Sequence, residues 1–147
     1  MLRHLAILAL SITASAALAH SDVKNPVVLA RMEAMKDIAA NMKALTGMAR
    51  GDVAFDAEIV AARMDEIAAR AAEVPQLFEA PETDPASEAA PTIWTSYPEF
   101  TQRAADLQAA AVAGATAGDE FDLGDALTNV AQTCKSCHTS FKAAAKE

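Results

Sequence analysis

Convincing alternating strand patterns are missing from this chain, and the residues that favour turns and sheets are scarce. Its 147 residues include five glycines, five phenylalanines, one tyrosine and one tryptophan. Alanine, the strongest helix former, is very common instead. The composition therefore argues against a sheet-based fold and predicts an all-α protein.

An excess of basic residues is also missing. Lysine and arginine together number 12, against 20 aspartates and glutamates, which gives a formal net charge of −8 at pH 7. Nucleic acids and anionic membrane surfaces attract positively charged proteins. We therefore expect neither of them among the partners of this protein.

Only the beginning of the sequence has the features of a targeting segment. Residues 1–19 have a short basic start, an apolar run over 5–10 and a small-x-small pattern at 17–19. This is typical of a secretory signal peptide cleaved after Ala19, although an uncleaved anchor would look similar. No other stretch is long and apolar enough to cross a bilayer. We expect residues 20–147 to form one exported, periplasmic domain that is not inserted in the membrane.

Four amphipathic segments with helical spacing follow one another along the chain. They run over about residues 26–46, 56–73, 97–114 and 122–145. Asn25 before Pro26 is a typical start for the first segment, Ser96 begins the third, and Pro75 is expected to stop the second. The connection over 75–96 is long, whereas the other two are short. This order predicts an antiparallel four-helix bundle.

Apolar residues recur at helical spacing in each segment and predict which side faces the core. The predicted rows are Val28, Arg31, Met35, Ile38, Met42 and Leu45; Val60, Met64, Ile67, Ala71 and Val74; Phe100, Ala104, Leu107 and Ala111; and Leu127, Val130, Cys134, His138, Phe141 and Ala145. A core this rich in alanine leaves room for something bulky at one end of the bundle.

The only two cysteines lie in one motif on the last segment. Cys134 and Cys137 are three residues apart, and His138 follows directly. On a helix the two thiols share one face, with Cβ atoms about 5–6 Å apart. The pattern C-x-x-C-H is the attachment motif of c-type haem, in which both thiols bond to the haem and the imidazole binds the iron. The motif predicts one covalent haem c held by these three residues.

Three other interpretations of the cysteine pair remain open. A thioredoxin-like dithiol is expected at a strand-to-helix turn in a βαβ unit, and no such unit is visible. A structural zinc site requires four ligands, and the sequence has no second cysteine pair. A disulfide within the helix fits an exported protein but leaves His138 unexplained. Export also fits haem attachment, because c-type haem is attached outside the bacterial cytoplasm.

Several stretches together resemble the cytochrome c′ family, including its low-spin cytochrome c-556 members. The tail over 134–142 is similar to the family pattern C-K-x-C-H-x-x-F-K, and 91–94 to its P-x-I-W segment. On the first helix Arg31 is followed four residues later by Met35, where the family has a haem-facing residue. The resemblance covers essentially all of 20–147 and implies a four-helix bundle with haem bound near the C-terminus.

The first segment supplies two further candidate site residues. Arg31 in an apolar row is costly unless it is paired or reaches water. A haem propionate would pair with its guanidinium, and the alternative is a side chain that extends to solvent or to a surface acid. The resemblance implies that Met35 faces the haem, either as the sixth iron ligand or as a packing residue over an open site. Met32 and Met42 are less favourably placed on the helix.

A one-electron carrier is the function that these residues favour. Methionine as the second axial ligand raises the reduction potential relative to two histidines. Since His138 is assigned to iron and His20 lies at the N-terminus before the first segment, the bundle has no other histidine for acid–base chemistry, and we do not expect an enzyme. The second reading is a five-coordinate cytochrome c′ that binds nitric oxide or carbon monoxide. Redox proteins are the expected partners, and both a monomer and a homodimer fit the sequence.

Overall fold

A computed structural model describes residues 23–144. The predicted signal peptide and Ala145 lie outside the described residues. The described chain forms five helices, α1 (Pro26–Ala49), α2 (Ala57–Leu77), α3 (Thr92–Thr95), α4 (Tyr97–Gly114) and α5 (Glu120–Phe141). The four long helices pack in the cyclic order α1, α2, α4, α5, and α1 also contacts α5. The predicted all-α four-helix bundle is confirmed, with a single isolated β-bridge, between Ala89 and Lys142, in the described part.

Side-chain caps define where three of the long helices begin. The side chain of Asn25 accepts hydrogen bonds from two backbone amides of the first turn of α1, and Pro26 follows as predicted. Asp56 caps α2 in the same way. The last helix begins at Glu120 rather than near Asp122, because the carboxylate of Asp119 caps it. The sequence pattern therefore located this start two residues late.

The predicted end of the second helix was wrong. Pro75 lies inside α2, which continues to Leu77. Proline has no N–H to donate, but its fixed φ is helical, so two residues before the end of α2 it costs a single backbone hydrogen bond. Here the Tyr97 hydroxyl donates to the carbonyl oxygen of Pro75. The amide of Phe78 still donates to the carbonyl of Val74.

The buried row of α1 is rotated relative to the predicted one. Its buried residues are Val28, Arg31, Ala34, Ile38, Asn41, Leu45 and Met48. These positions are separated by steps of three or four, which keeps them on one side of a helix. Met35 and Met42 lie beside this row and are half-buried. On α2, in contrast, all five predicted core residues are buried.

Two hydrophobic clusters fill the bundle. The aliphatic cluster consists of Ile38, Leu45, Met48, Val60, Met64, Ile67, Ala68, Ala111, Ala117, Leu123, Leu127 and Val130. The aromatic cluster consists of Val74, Phe78, Ile93, Phe100, Phe141 and Ala104, with Trp94 and Tyr97 packed against it. Five of the seven aromatic side chains thus belong to one end of the bundle. The two ends are therefore built from different kinds of side chain.

Candidate functional site

The CKSCH motif lies where the two hydrophobic clusters meet. Cys134 and Cys137 are on the C-terminal half of α5, and both are half-buried free thiols. Cys134 packs against the aliphatic cluster, whereas Cys137 packs against the aromatic cluster. The motif therefore spans the junction between the clusters.

Met35 reaches the same junction from α1. Of the hydrophobic side chains in the part of the chain that the structure describes, Met35 alone is half-buried against both clusters. Met42 packs against the aliphatic cluster. Helix α1 contacts α5 directly. The structure thus brings Met35, rather than the next methionine along α1, to the junction that the two cysteines flank.

The environment of the two thiols favours the protonated form. Burial raises the pKa of Cys134. Burial also raises the pKa of Cys137, with a further contribution from Cys134, and the positive charge of Arg103 partly opposes this. A redox-active dithiol needs at least one thiolate, which requires a lowered pKa. These two cysteines therefore have the properties of structural or attachment thiols.

His138 lies on the outside of α5 and does not continue the predicted inward row. The residue is exposed, although a step of four from Cys134 turns it by only about 40° around the helix. Its ring nevertheless loses some hydration against the protein, and this, together with the positive charge of Lys142, lowers the pKa of His138. The carboxylate of Glu88 partly opposes the change. The imidazole is therefore neutral at pH 7, which is the form that binds metals.

Arg31 is buried and makes hydrogen bonds to the backbone. Its side chain is only 2% exposed, so it does not extend to solvent, which was one of the expected alternatives. The guanidinium donates to the carbonyl oxygens of Leu77, Ala80 and Glu82 at 2.8, 2.6 and 2.8 Å. It also lies 4.6 Å from the ring centre of Phe78. Contact with a haem propionate stays a prediction.

Arg103 is a site residue that sequence reasoning missed. From α4 it donates to the hydroxyl of Ser136, within the CKSCH motif, at 2.8 Å. It also forms an ion pair with Glu99 at 2.9 Å, and its charge acts on Cys137. The sequence signal was the spacing of Glu99 and Arg103 by four residues beside the core position Ala104, which indicates a charged side chain at the edge of the core.

Two kinds of feature are absent from residues 23–144. Within 23–144 no three histidine, cysteine, aspartate or glutamate side chains are grouped so that they would hold a metal ion by themselves. In the same range no helix is long and apolar enough to cross a membrane.

The residues at the junction fit a c-type haem. Cys134 and Cys137 provide two protonated thiols three residues apart on one helix, and His138 provides a neutral imidazole beside them. Aromatic and aliphatic side chains surround the thiols, as an apolar macrocycle requires. The fold and this set of residues together define a helical-bundle protein of the c-type haem-binding class.

Comparisons with known proteins give the family. Residues 26–142 match the sequence profile of the family described as Cytochrome C', and the chain therefore belongs to the cytochrome c′ family. It is 34% identical over 116 residues to the cytochrome c′ of Pararhodospirillum photometricum, a match that covers 76% of this chain and 92% of that protein. It is 32% identical over 110 residues to the cytochrome c-556 of Agrobacterium tumefaciens strain B2A, covering 74% and 89% respectively.

A solved structure supports the same assignment. The cytochrome c′ from Rhodopseudomonas palustris superimposes with a TM-score of 0.76 at 30% identity, over 84% of this chain and all of that one. The resemblance inferred from the sequence motifs is thus confirmed. Membership of a cytochrome family implies a haem of the c type.

Proposed function

We propose that this protein is an exported one-electron carrier with a single haem c attached through Cys134 and Cys137. In this proposal His138 and Met35 would hold the iron of that haem. When bound, the haem supplies a one-electron iron couple, and two protein ligands leave no free position for a substrate. The protein acts in the periplasm and exchanges electrons with other redox proteins.

The position of Met35 is the observation that carries the proposal. Its side chain packs against both clusters, one of which contacts Cys134 and the other Cys137. A thioether there lies across the junction from the helix that carries the attachment motif. Methionine paired with histidine raises the reduction potential of a haem, since it favours the reduced iron. The same apolar packing keeps water away from the thioether.

The other residues of the site have distinct roles in this proposal. The half-buried thiols hold the haem in a fixed orientation on α5, where Arg103 supports the motif through Ser136. The neutral ring of His138 is available as a ligand at pH 7. His138 is the one histidine of residues 23–144, so this part of the chain offers no second imidazole for proton transfer.

Gas binding is the second candidate function. The relatives of this chain include proteins named cytochrome c′ as well as proteins named cytochrome c-556, so family membership leaves the coordination number of the iron open. In this case Met35 would pack over the haem without binding its iron, and the open position would take nitric oxide or carbon monoxide.

The absorption spectrum of the purified, oxidised protein separates the two functions. The proposal requires a low-spin spectrum and no binding of carbon monoxide to the reduced protein. Met35→Ala is then expected to convert the iron to a high-spin form that binds carbon monoxide. Met32→Ala is the matched control, because Met32 is a half-buried methionine on the same helix. A wild-type protein that is already high-spin would contradict the ligand assignment and support gas binding.

A further inference from the structure

Helix α2 ends without a basic residue of its own. No lysine, arginine or histidine lies in its last turn. The last carbonyl groups of a helix have no partners within the helix, and they carry a partial negative charge. The positive charge that meets them here comes from Arg31, on the neighbouring helix α1.

The guanidinium of Arg31 binds the end of α2 and the chain that follows it. Its three nitrogens each donate to a different carbonyl oxygen, those of Leu77, Ala80 and Glu82. Planar guanidinium groups are suited to several acceptors at once, because their donors point in fixed directions. The rings of Phe78 and Trp94 lie 4.6 and 5.6 Å from its central carbon and add cation–π attraction. These partners offset the cost of burying the charge.

The beginning of α1 makes further contacts with the same connection. The carboxylate of Asp84 accepts hydrogen bonds from the backbone amides of Lys24 and Asn25 at 3.0 and 3.2 Å. The side-chain amide of Asn25 donates to the carboxylate of Glu82 at 2.9 Å. The first half of the connection is therefore fastened to α1 by both side-chain and backbone groups. Two of these contacts are exposed, and the one from the backbone amide of Asn25 is partly buried, as the hydrogen bonds of Arg31 are.

The second half of the connection is fastened to α5. The amide of Ala90 donates to the carbonyl of Phe141 at 3.0 Å, and the amide of Ala143 donates to the carbonyl of Glu88 at 2.8 Å. The hydroxyl of Thr92 also donates to the carbonyl of Ser140 at 2.8 Å. The connection over 78–91 thus joins the start of α1 to the end of α5.

These contacts link the two sides of the candidate site. Met35 lies four residues after Arg31, about 6 Å further along α1. On the other side, Ser140 and Phe141 follow His138 by two and three residues. A change in the connection therefore reaches the segments that carry Met35 and His138. The contacts described above are made by neighbouring residues and not by Met35 or His138 themselves.

We infer that Arg31 is a positioning residue, whose guanidinium anchors the connection over 78–91 and thereby sets how closely α1 approaches the end of α5. This role goes beyond the proposed function, because it does not depend on whether Met35 ligates the iron. Burial lowers the pKa of Arg31, and the negative charge of Glu82 partly opposes this change. Both effects agree with a positive charge that is held among backbone carbonyls.

Hydrogen–deuterium exchange of the haem-loaded protein tests the anchor. Arg31→Gln is expected to speed exchange of the amides in 78–91 by at least about tenfold, because the carbonyl contacts that hold this segment are lost. Amides of the α1–α2 turn at the opposite end are expected to exchange as in the wild type. Arg70→Gln is the matched control, since Arg70 is an α2 arginine in partly exposed ion pairs with Asp37 and Glu73.

The rate at which carbon monoxide binds to the reduced Met35→Ala protein tests the positioning role, because in that background Met35 cannot occupy the iron whichever function the protein has. Arg31→Gln is expected to raise this rate severalfold, while Arg70→Gln leaves it unchanged. Arg31→Lys retains the charge but loses the planar fork, so it is expected to restore part of the wild-type behaviour in both measurements. If Arg31→Gln fails to fold, Arg31→Lys alone serves as the test, because one ammonium group cannot reproduce the three separate donors to Leu77, Ala80 and Glu82.

Two results would overturn the inference. Unchanged exchange in 78–91 of Arg31→Gln would mean that Arg31 does not anchor the connection. If the reduction potential of that variant is shifted at the same time, Arg31 contacts the haem directly instead. Faster exchange with an unchanged rate of carbon monoxide binding would show an anchor without a positioning role. The spin state of the wild-type protein tests the proposed function separately and changes neither of these expectations.

Discussion

Different interactions stabilise the two ends of the bundle. The aliphatic cluster is closely packed, as Gly114 shows. A Cβ atom there would lie 3.0 Å from the terminal carbon of Met64 and 3.1 Å from the Cβ atom of Ala126. The aromatic cluster has fewer members, and hydrogen bonds from Arg31 and Trp94 to backbone carbonyls surround it.

This difference teaches how the molecule combines stability with a defined site. Burial of aliphatic side chains is not directional, so it stabilises the bundle without placing any polar atom. Hydrogen bonds are directional and fix the positions of the groups that they join. The candidate site lies between the two ends, with Cys134 on the aliphatic side and Cys137 on the aromatic side. The aliphatic end therefore stabilises the bundle, and the hydrogen bonds at the aromatic end fix the positions of the groups around the site.

The largest expected effect is the loss of covalent haem from a protein that still folds. Replacing Cys134 and Cys137 together by alanine is expected to abolish covalent haem, because no other cysteine is present. Denaturation and solvent extraction followed by a haem stain measure this loss. Circular dichroism is expected to show a protein that is still helical, since the aliphatic cluster is intact. Lys135→Ala, at an exposed position inside the motif, is expected to retain the haem. Haem that stays bound to the denatured double variant would disprove the attachment site.

A core substitution at the aliphatic end is expected to reduce stability and leave the site intact. Ile67 is fully buried, and Ile67→Ala is expected to lower the free energy of unfolding by about 2–5 kcal/mol through lost burial and the remaining cavity. The absorption spectrum is expected to stay that of the wild type. Ile59→Ala, on the same helix but 41% exposed, is the control and is expected to change stability by less than about 0.5 kcal/mol. A changed spectrum in Ile67→Ala would mean that the two ends are coupled more tightly than their separate packing indicates.

The smallest expected effect is a dependence of stability on pH, which arises from His138 near the aromatic end of the bundle. The pKa of His138 in the folded protein lies below its ordinary value of 6.5, because partial burial and Lys142 disfavour the imidazolium. The unfolded chain therefore binds this proton more readily, and stability falls as the pH drops below the ordinary value. Urea unfolding of the haem-free double-cysteine variant between about pH 8 and about pH 5 measures the effect. Adding His138→Gln is expected to flatten the curve, and an equally steep curve would assign the dependence to other groups.

Periodicity predicted the helices well because it depends on neighbours along the chain. All five predicted core residues of α2 are buried, and Asn25 caps α1 as expected. The end of α2 was missed because its last carbonyl groups find partners outside the helix, in Tyr97 and Arg31, which spacing along the chain does not reveal. The rotation of α1 was missed because small Ala34 and polar Asn41 are buried by packing that the spacing of large apolar residues does not reveal.

The sequence by itself determined the local chemistry of this protein. The spacing of Cys134, Cys137 and His138 on one helix follows from adjacent positions in the chain, and so does the helical pattern around them. Only the tertiary structure decided which side chains meet. Arg31 binds carbonyls 46 to 51 residues away, and Met35 reaches the junction between two clusters drawn from all of the long helices. Such contacts depend on how whole helices rotate and pack against one another, which the spacing within a single helix does not specify.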